Sequence, residues 1–279
     1  MDALIFIDTN ILLDFYRIRK SEVSMSYLKL IDDHRDVMIT GSQVEMEYQK
    51  NRQHVILDSL GKFKNPDWNN LSVPALFSES EEAKLIDNCR GKISKQQSIL
   101  NGKIHNLLKS PSEHDPVFKT LKSLFRSNLK FNLSIEHSDY EEVKRLALER
   151  FMLGYPPRKK GDTSIGDAIN WEWIIKCASG SGKSIIVVTR DGDYGVNVKN
   201  DSFLNDWLSR EFSDRVSNEQ EVILTARLSE AFKSINLPVS KDMIEEESRI
   251  IKSYEEVVPP EESDNVTGKI FEILKSYKQ

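Results

Sequence analysis

The chain of 279 residues is 39 % hydrophobic and 30 % charged, with a net charge of −5; that is enough for one sizeable core with an insertion, or two modest domains. No global basic excess marks a nucleic-acid binder, and the apolar runs "ALIFI" and "SIIVV" are far too short to cross a bilayer. Two cysteines, Cys89 and Cys177, make neither a disulfide framework nor a metal cluster, and residues 1–30 lack a basic start followed by an apolar stretch; no secretory signal and a reduced, cytoplasmic setting are therefore expected.

In chain order, "ALIFI" (3–7) ends at Asp8 and predicts a buried strand. "TNILLDFYRI" places Ile11, Leu12, Phe15 and Tyr16 at helical spacing. "DVMIT" (36–40) is a second strand, followed by a helix from Ser42. Residues 53–140 break this rhythm: helix-prone stretches without convincing strands read as a helical insertion. From Lys84 to Phe131 there are ten Lys/Arg against three Asp/Glu, which reads either as a solvated helical face or as a phosphate-contacting surface.

Beyond Trp171 the alternation returns. A helix over 168–178 is followed by a strand over 184–189, a turn, a helix over "DSFLNDWLSREF" (201–212), a strand over 221–225 and a helix in "RLSEAFKSI". Strands alternating with helices predict an α/β fold with a mostly parallel sheet. Residues 241–264 hold nine Asp/Glu and three Lys/Arg, and "VVPPEESDN" reads as a linker. The final "VTGKIFEILKSYKQ" (266–279) reads as a terminal helix docked on the body, with a partner-binding helix as the alternative.

"SGSGKS" (179–184) resembles a phosphate-binding loop, but the loop's first glycine would fall at Cys177. Such a loop must also leave a strand and enter a helix, so that backbone N–H groups and the helix N-terminus face the phosphates. Here the order is reversed. Gly180 and Gly182 fit a helix C-cap and turn.

More chemistry lies in the acids. Asp8 and Asp191 end buried strands, where sites form in parallel sheets, and Asp193 lies two residues on. Glu47 and Asp167 sit near helix starts. Structural roles are available to Asp8 and Asp191 as caps, and to Asp167 in a capping box with Ser164. A Ser42–Glu45 box would give Glu45 a structural role and leave Glu47 without one. Carboxylates sharing one site raise each other's pKa unless a cation offsets them, and hard oxygen ligands suit Mg²⁺ or Mn²⁺. The chain offers no paired His/Cys pattern for zinc.

Taken together, "FIDTNILLDFYR" (6–17), "ITGSQVEMEYQKNR" (39–52), "GDTSIGDAINWEWII" (161–175) and "IIVVTRDGDYG" (185–195) resemble the PIN domain family, and specifically a bacterial PIN-like subgroup with a long helical insertion. The resemblance implies a three-layer α/β/α domain over 1–240, with the basic insertion at about 53–140 and an acidic linker and C-terminal helix over 241–279. It implies a metal-dependent nuclease, with RNA favoured over DNA. Asp8, Glu47, Asp167 and Asp191 match the family acids, with Asp193 sharing or replacing the role of Asp191; Mg²⁺ or Mn²⁺ would be held there. Asn10, Thr189, Arg52 and Asp162 are supporting candidates. Candidate nucleic-acid contacts are Arg158, Lys159, Lys160, Lys92, Lys95, Lys103, Lys122 and Arg126. A protein partner through 266–279 and a homo-oligomer remain alternatives, with no membrane role. The competing readings are a non-catalytic PIN-like binding module and, more weakly, a haloacid dehalogenase-type phosphoryl transferase. The latter wants Asp-x-Asp where this chain has Asp8-Thr9-Asn10.

Overall fold

The first strand, β1 (Ala3–Ile7), is buried along its whole length, as a continuous apolar run requires when both faces of a parallel sheet are covered. It pairs in parallel with β2 (Met38–Gly41) on one side and with β4 (Ser184–Val188) on the other. Each fully buried Leu or Ile of this kind contributes roughly 1.5–3 kcal/mol, so β1 anchors the core. A computed structural model describes residues 1–61, 72–158, 164–198 and 201–255.

The central sheet runs β3-β2-β1-β4-β7, with β3 at Asn132–Leu133 and β7 at Val222–Thr225. Its described pairings are all parallel, so its strands end at one common edge. Helices α1 (Thr9–Leu13), α2 (Ser21–Asp33) and α3 (Ser42–Gly61) follow the first strands. The expected mostly parallel α/β architecture is observed.

The insertion is less separate than its sequence suggests. Helix α4 (Glu81–Lys109) is largely exposed and buries only Ala83 and Gln97. After the short α5 (Pro111–His114), however, α6 (Pro116–Phe125) buries Val117, Leu121, Leu124 and Phe125 in the main core. β3 then adds a strand that the sequence reading missed, pairing Thr40 with Asn132 and Gly41 with Leu133. Two residues are too few to carry a period-2 signal. Helices α7 (Tyr140–Leu153) and α8 (Gly166–Ser181) complete this side.

The expected helix over "DSFLNDWLSREF" opens with a strand, Asp201–Leu204, before its helical part begins. β5 (Gly195–Val198) and β6 (Asp201–Leu204) form an antiparallel hairpin, and α9 (Asp206–Arg215) starts only after Asn205, whose side chain accepts the Trp207 N–H. The tight crossing at Gly195 explains the break: a Cβ there would lie 2.0 Å from the Phe203 carbonyl oxygen.

Helix α10 (Leu228–Ser234) and α11 (Lys241–Glu255) close the described chain. Within the stretch read as acidic, α11 packs on α2 and α10. Its Glu247 accepts the Leu228 and Ser229 N–H groups at the start of α10. The expected helix at 266–279 and the linker "VVPPEESDN" lie outside the described residues.

The helix expected over 168–178 runs on through Ser181, so Gly180 lies inside it and Gly182 alone forms the expected cap. Gly182 adopts φ 68°, in the left-handed region that glycine tolerates, and its N–H reaches the Ala178 carbonyl at 2.9 Å. Lys183 pairs with Asp2 at 2.8 Å. Among the described residues, no helix is long and apolar enough to cross a membrane.

Candidate metal centre

The β1–β4 register aligns Ile7 with Val188, so the next residues, Asp8 and Thr189, emerge side by side. Asp8 caps α1: Thr9 N–H donates to Oδ1 at 2.6 Å, Asn10 Nδ2 donates to Oδ2 at 2.7 Å, and the Thr189 hydroxyl also donates to Oδ2. Asn10 reaches Thr189 Oγ1 at 3.2 Å as well. The carboxylate is thus fixed in place by two neighbouring strand ends. It is 6 % exposed. Burial pushes its carboxyl up to about 6; the Thr189 hydroxyl opposes the shift, while Glu47 and Asp191 add to it.

Glu47 projects from α3 one turn beyond the buried Val44 and beside the buried Tyr48. Gln43 Nε2 donates to its Oε1 at 2.6 Å and Thr9 Oγ1 to its Oε2 at 3.2 Å. Across the cleft, Gly166 opens α8, and a Cβ there would lie 2.3 Å from Glu47 Oε1. Sequence reasoning missed Gly166; its signal was the "GDA" at the start of a helix, where glycine is a poor helix former.

Asp167 stands in the first turn of α8. Ile165, not Ser164, takes the N-cap position, and Ser164 Oγ accepts from Gly166 N–H at 3.2 Å. The Ser42–Glu45 box is replaced, because Ser42 Oγ accepts from the Ile135 N–H, and Glu45 meets Gln49 and Arg126.

After β4, Asp191 N–H donates to Thr189 Oγ1 at 2.9 Å and Asp193 N–H to Asp191 Oδ1 at 3.3 Å. Carboxylate oxygens of Asp167, Asp191 and Asp193 lie within 4.8 Å of one another. Tyr194, fully buried beneath them, donates its hydroxyl to the Asp167 carbonyl at 3.5 Å. Its phenol is pushed well above the ordinary value by burial, and then by Asp167, Asp8, Glu47 and Asp191.

A cleft of about 360 Å³ is lined by Asp8, Glu47, Asp167 and Asp191, together with Asn10, Lys50 and Asn51. The donor set is all oxygen, the type that hard divalent cations take. Glu47 lines the same cleft, beside the space that Gly166 keeps open. The residues fit a hard divalent cation.

Arg52 does something different from the expected support of the acids. It is buried, with Nε and Nη2 donating to Asp115 Oδ2 at 2.9 and 2.6 Å, and Nη2 also to the Leu107 carbonyl. Its guanidinium lies over the Phe118 ring at 5.2 Å. Arg52 ties the insertion to α3.

Of the expected nucleic-acid contacts, Lys92, Lys95 and Lys103 are exposed on α4. Lys122 and Arg126 line a shallow depression of about 350 Å³ with Ser112, Lys119 and Ser123. Arg158 is exposed, its guanidinium over Phe151. Lys159, Lys160 and Asp162 lie outside the described residues.

A family model for the PIN domain matches residues 5–194, a span that includes all the acids above. No curated protein and no solved structure matches the chain.

Proposed function

The chain belongs to the PIN domain family, a nuclease family, and from that membership we propose that it is a metal-dependent endonuclease that hydrolyses phosphodiester bonds, with RNA as its substrate. One observation carries the reading: Asp8, Glu47, Asp167 and Asp191, delivered by four separate elements, line a single cleft.

In this reading Asp8, Glu47, Asp167 and Asp191, with Asp193, hold Mg²⁺ or Mn²⁺. Such a cation, when bound, lowers the pKa of water and offsets charge on the phosphodiester oxygens. The chain's own residues organise that chemistry. Thr189 and Asn10 hold the Asp8 carboxylate, Gln43 and Thr9 hold that of Glu47, and Tyr194 supports the Asp167 backbone. Lys50, at the cleft wall, places positive charge beside the phosphate's approach. The depression lined by Lys119, Lys122 and Arg126 offers a second polyanion contact. RNA is favoured over DNA because that is the prevailing activity of the family the chain resembles.

The test is cleavage of labelled single-stranded RNA and DNA panels with Mn²⁺ or Mg²⁺. EDTA should stop the reaction, and Asp8→Asn and Asp167→Asn should each abolish it in folded protein. Undiminished cleavage by both variants would falsify the assignment.

A further inference from the structure

Two large aromatic side chains lie together on the surface, one of them in a helical turn tied to the acid loop. Tyr155 is 39 % and Trp207 45 % exposed, with ring centroids 5.0 Å apart and planes tilted by 32°. Trp207 stands in the first turn of α9. That turn is tied to the acid loop, because Asn205 N–H donates to the carbonyl of Tyr194 at 2.9 Å, and Tyr194 directly follows Asp193. The Tyr194 hydroxyl in turn reaches Asp167. Tyr155 follows the end of α7, its N–H bonded to the Arg150 carbonyl at 3.1 Å. The same Arg150 donates to the Pro156 carbonyl and to Glu172 of α8, so Tyr155 stands on a braced segment.

A cation sits on the same segment: a Cβ on Gly154, the neighbour of Tyr155, would lie 3.5 Å from Arg158 Nη1. Arg158 Nη1 donates to the Phe151 carbonyl at 3.2 Å while its guanidinium lies 4.4 Å from the Phe151 ring centroid. One N–H is used there, and the guanidinium has five donors. Exposed rings are costly to leave in water, and pairing them beside a fixed arginine suits a ligand with flat apolar faces and negative charge. Nucleobases linked by phosphates are such a ligand.

We propose that Tyr155 and Trp207 form a stacking platform for unpaired nucleobases, with Arg158 contacting a neighbouring phosphate. The substrate strand is therefore single-stranded where it meets the platform. Base faces are accessible only in an unpaired strand, and aromatic stacking tolerates any base. The platform's placement next to the acid loop rests on the nuclease reading, since it sets a stacked base within reach of the cleft. Sequence-tolerant grip on the base and cleavage at the adjacent linkage then follow from one geometry.

The experiment separates binding from cleavage. Fluorescence anisotropy of a labelled 12-nucleotide single-stranded RNA is measured on the Asp8→Asn protein in EDTA, with the DNA version and the matching duplex as further probes. Adding Trp207→Ala or Tyr155→Ala should weaken single-strand binding roughly 5- to 150-fold, the equivalent of about 1–3 kcal/mol per stacked base. Trp207→Phe should retain most of the affinity, which distinguishes stacking from a folding defect, and duplex binding should be unmoved by all three. Arg158→Ala should weaken binding and lower the salt slope by about 0.7.

Equal single-strand affinity with and without the rings overturns the platform, as does an Asp8→Asn protein that binds no single strand. Loss of self-association in Trp207→Ala, with unchanged RNA affinity, would overturn it in favour of a contact between copies of the chain. Ring-dependent binding without cleavage in any metal would leave the platform standing and remove the nuclease. Cleavage at wild-type kcat/KM by Trp207→Ala would do the reverse.

Discussion

Gly166 and Glu47 share a space that admits no side chain at position 166: a Cβ would lie 2.3 Å from Glu47 Oε1 and 2.5 Å from Gln43 Nε2. Both obstructing atoms are ends of flexible side chains, so Gly166→Ala should fold, with Glu47 turned out of the cleft. Alanine also gains up to about 1 kcal/mol of helix propensity over glycine, which offsets the displacement. The expected outcome is a melting temperature within a few degrees of wild type and at least a tenfold loss of cleavage and of Mn²⁺ affinity by calorimetry. Full activity in Gly166→Ala would show that Glu47 is dispensable.

Asp8 predicts a pH dependence of the metal-free protein. Its folded pKa is raised from 3.8 to about 6, so between those values the native state binds more protons than the unfolded state. Stability therefore falls as pH rises through that window and levels off above it, by about 3 kcal/mol for a shift of roughly 2 units. Asp8→Asn removes the dependence and should stabilise the metal-free protein at pH 7 by about 1–2 kcal/mol, part of the gain being lost where its amide faces the Asn10 donor. Protons and cation compete for the same carboxylate, so the thermal shift caused by Mn²⁺ should grow from pH 5 to pH 7. Denaturant melts in EDTA across this range check the sign, and a flat profile would refute the buried charge.

Arg52→Ala should act on stability before chemistry. It leaves Asp115, with its side chain fully buried, facing a lost partner, and breaking a buried ion pair in this way costs about 3–5 kcal/mol. Lysine is a poor substitute, since Asp115, Tyr16 and the Leu107 carbonyl are all served by one planar fork. A large fall in melting temperature, with near-normal kcat in the surviving folded fraction, is the expected pattern. A kcat defect without destabilisation would return Arg52 to the acid site.

The elements that were legible in the sequence are those whose residues carry a strong local signal. "ALIFI" and "IIVV" are unbroken apolar runs, and Asp8 and Asp191 follow them where the strands of a parallel sheet end. What was hidden depends on distant partners. β3 exists because Thr40 and Gly41 present an edge to Asn132 and Leu133, and no two-residue segment announces such an edge. The β5–β6 hairpin is set by the backbone crossing at Gly195, which overrides the helical spacing of the residues after it. Arg52 lies five residues past Glu47 on α3, about 140° further around the helix, and its direction is decided by Asp115, 63 residues away. Tyr155 and Trp207 are joined only by the folding of α7 and α9.

Lys183→Ala tests the most suggestive string in the chain. Its ammonium pairs with an exposed Asp2, an arrangement worth about 0–1 kcal/mol. Cleavage should be unchanged, the melting temperature should move by no more than a degree or two, and neither protein should be stabilised by ATP in a thermal-shift assay. ATP-dependent stabilisation of wild type alone would mean that the turn does bind phosphate.

The α6 depression should contribute charge and no base recognition. Lys122 Nζ donates to Ser112 Oγ at 3.3 Å and lies 5.7 Å from the centroid of Phe118, while Arg126 meets Glu45 at 3.5 Å on the helix that also carries Glu47. The contact partners leave both cations near the surface, where a phosphate can displace a weak neighbour. Each phosphate neutralised releases condensed counterions, with a slope of about −0.7 per contact for single strands. Lys122→Ala with Arg126→Ala should therefore raise KM several-fold at low salt, flatten log KM against log[salt] by about 1.4, and leave kcat intact. An unchanged slope would take this surface out of the substrate's path and leave the approach to Lys50 and Arg158.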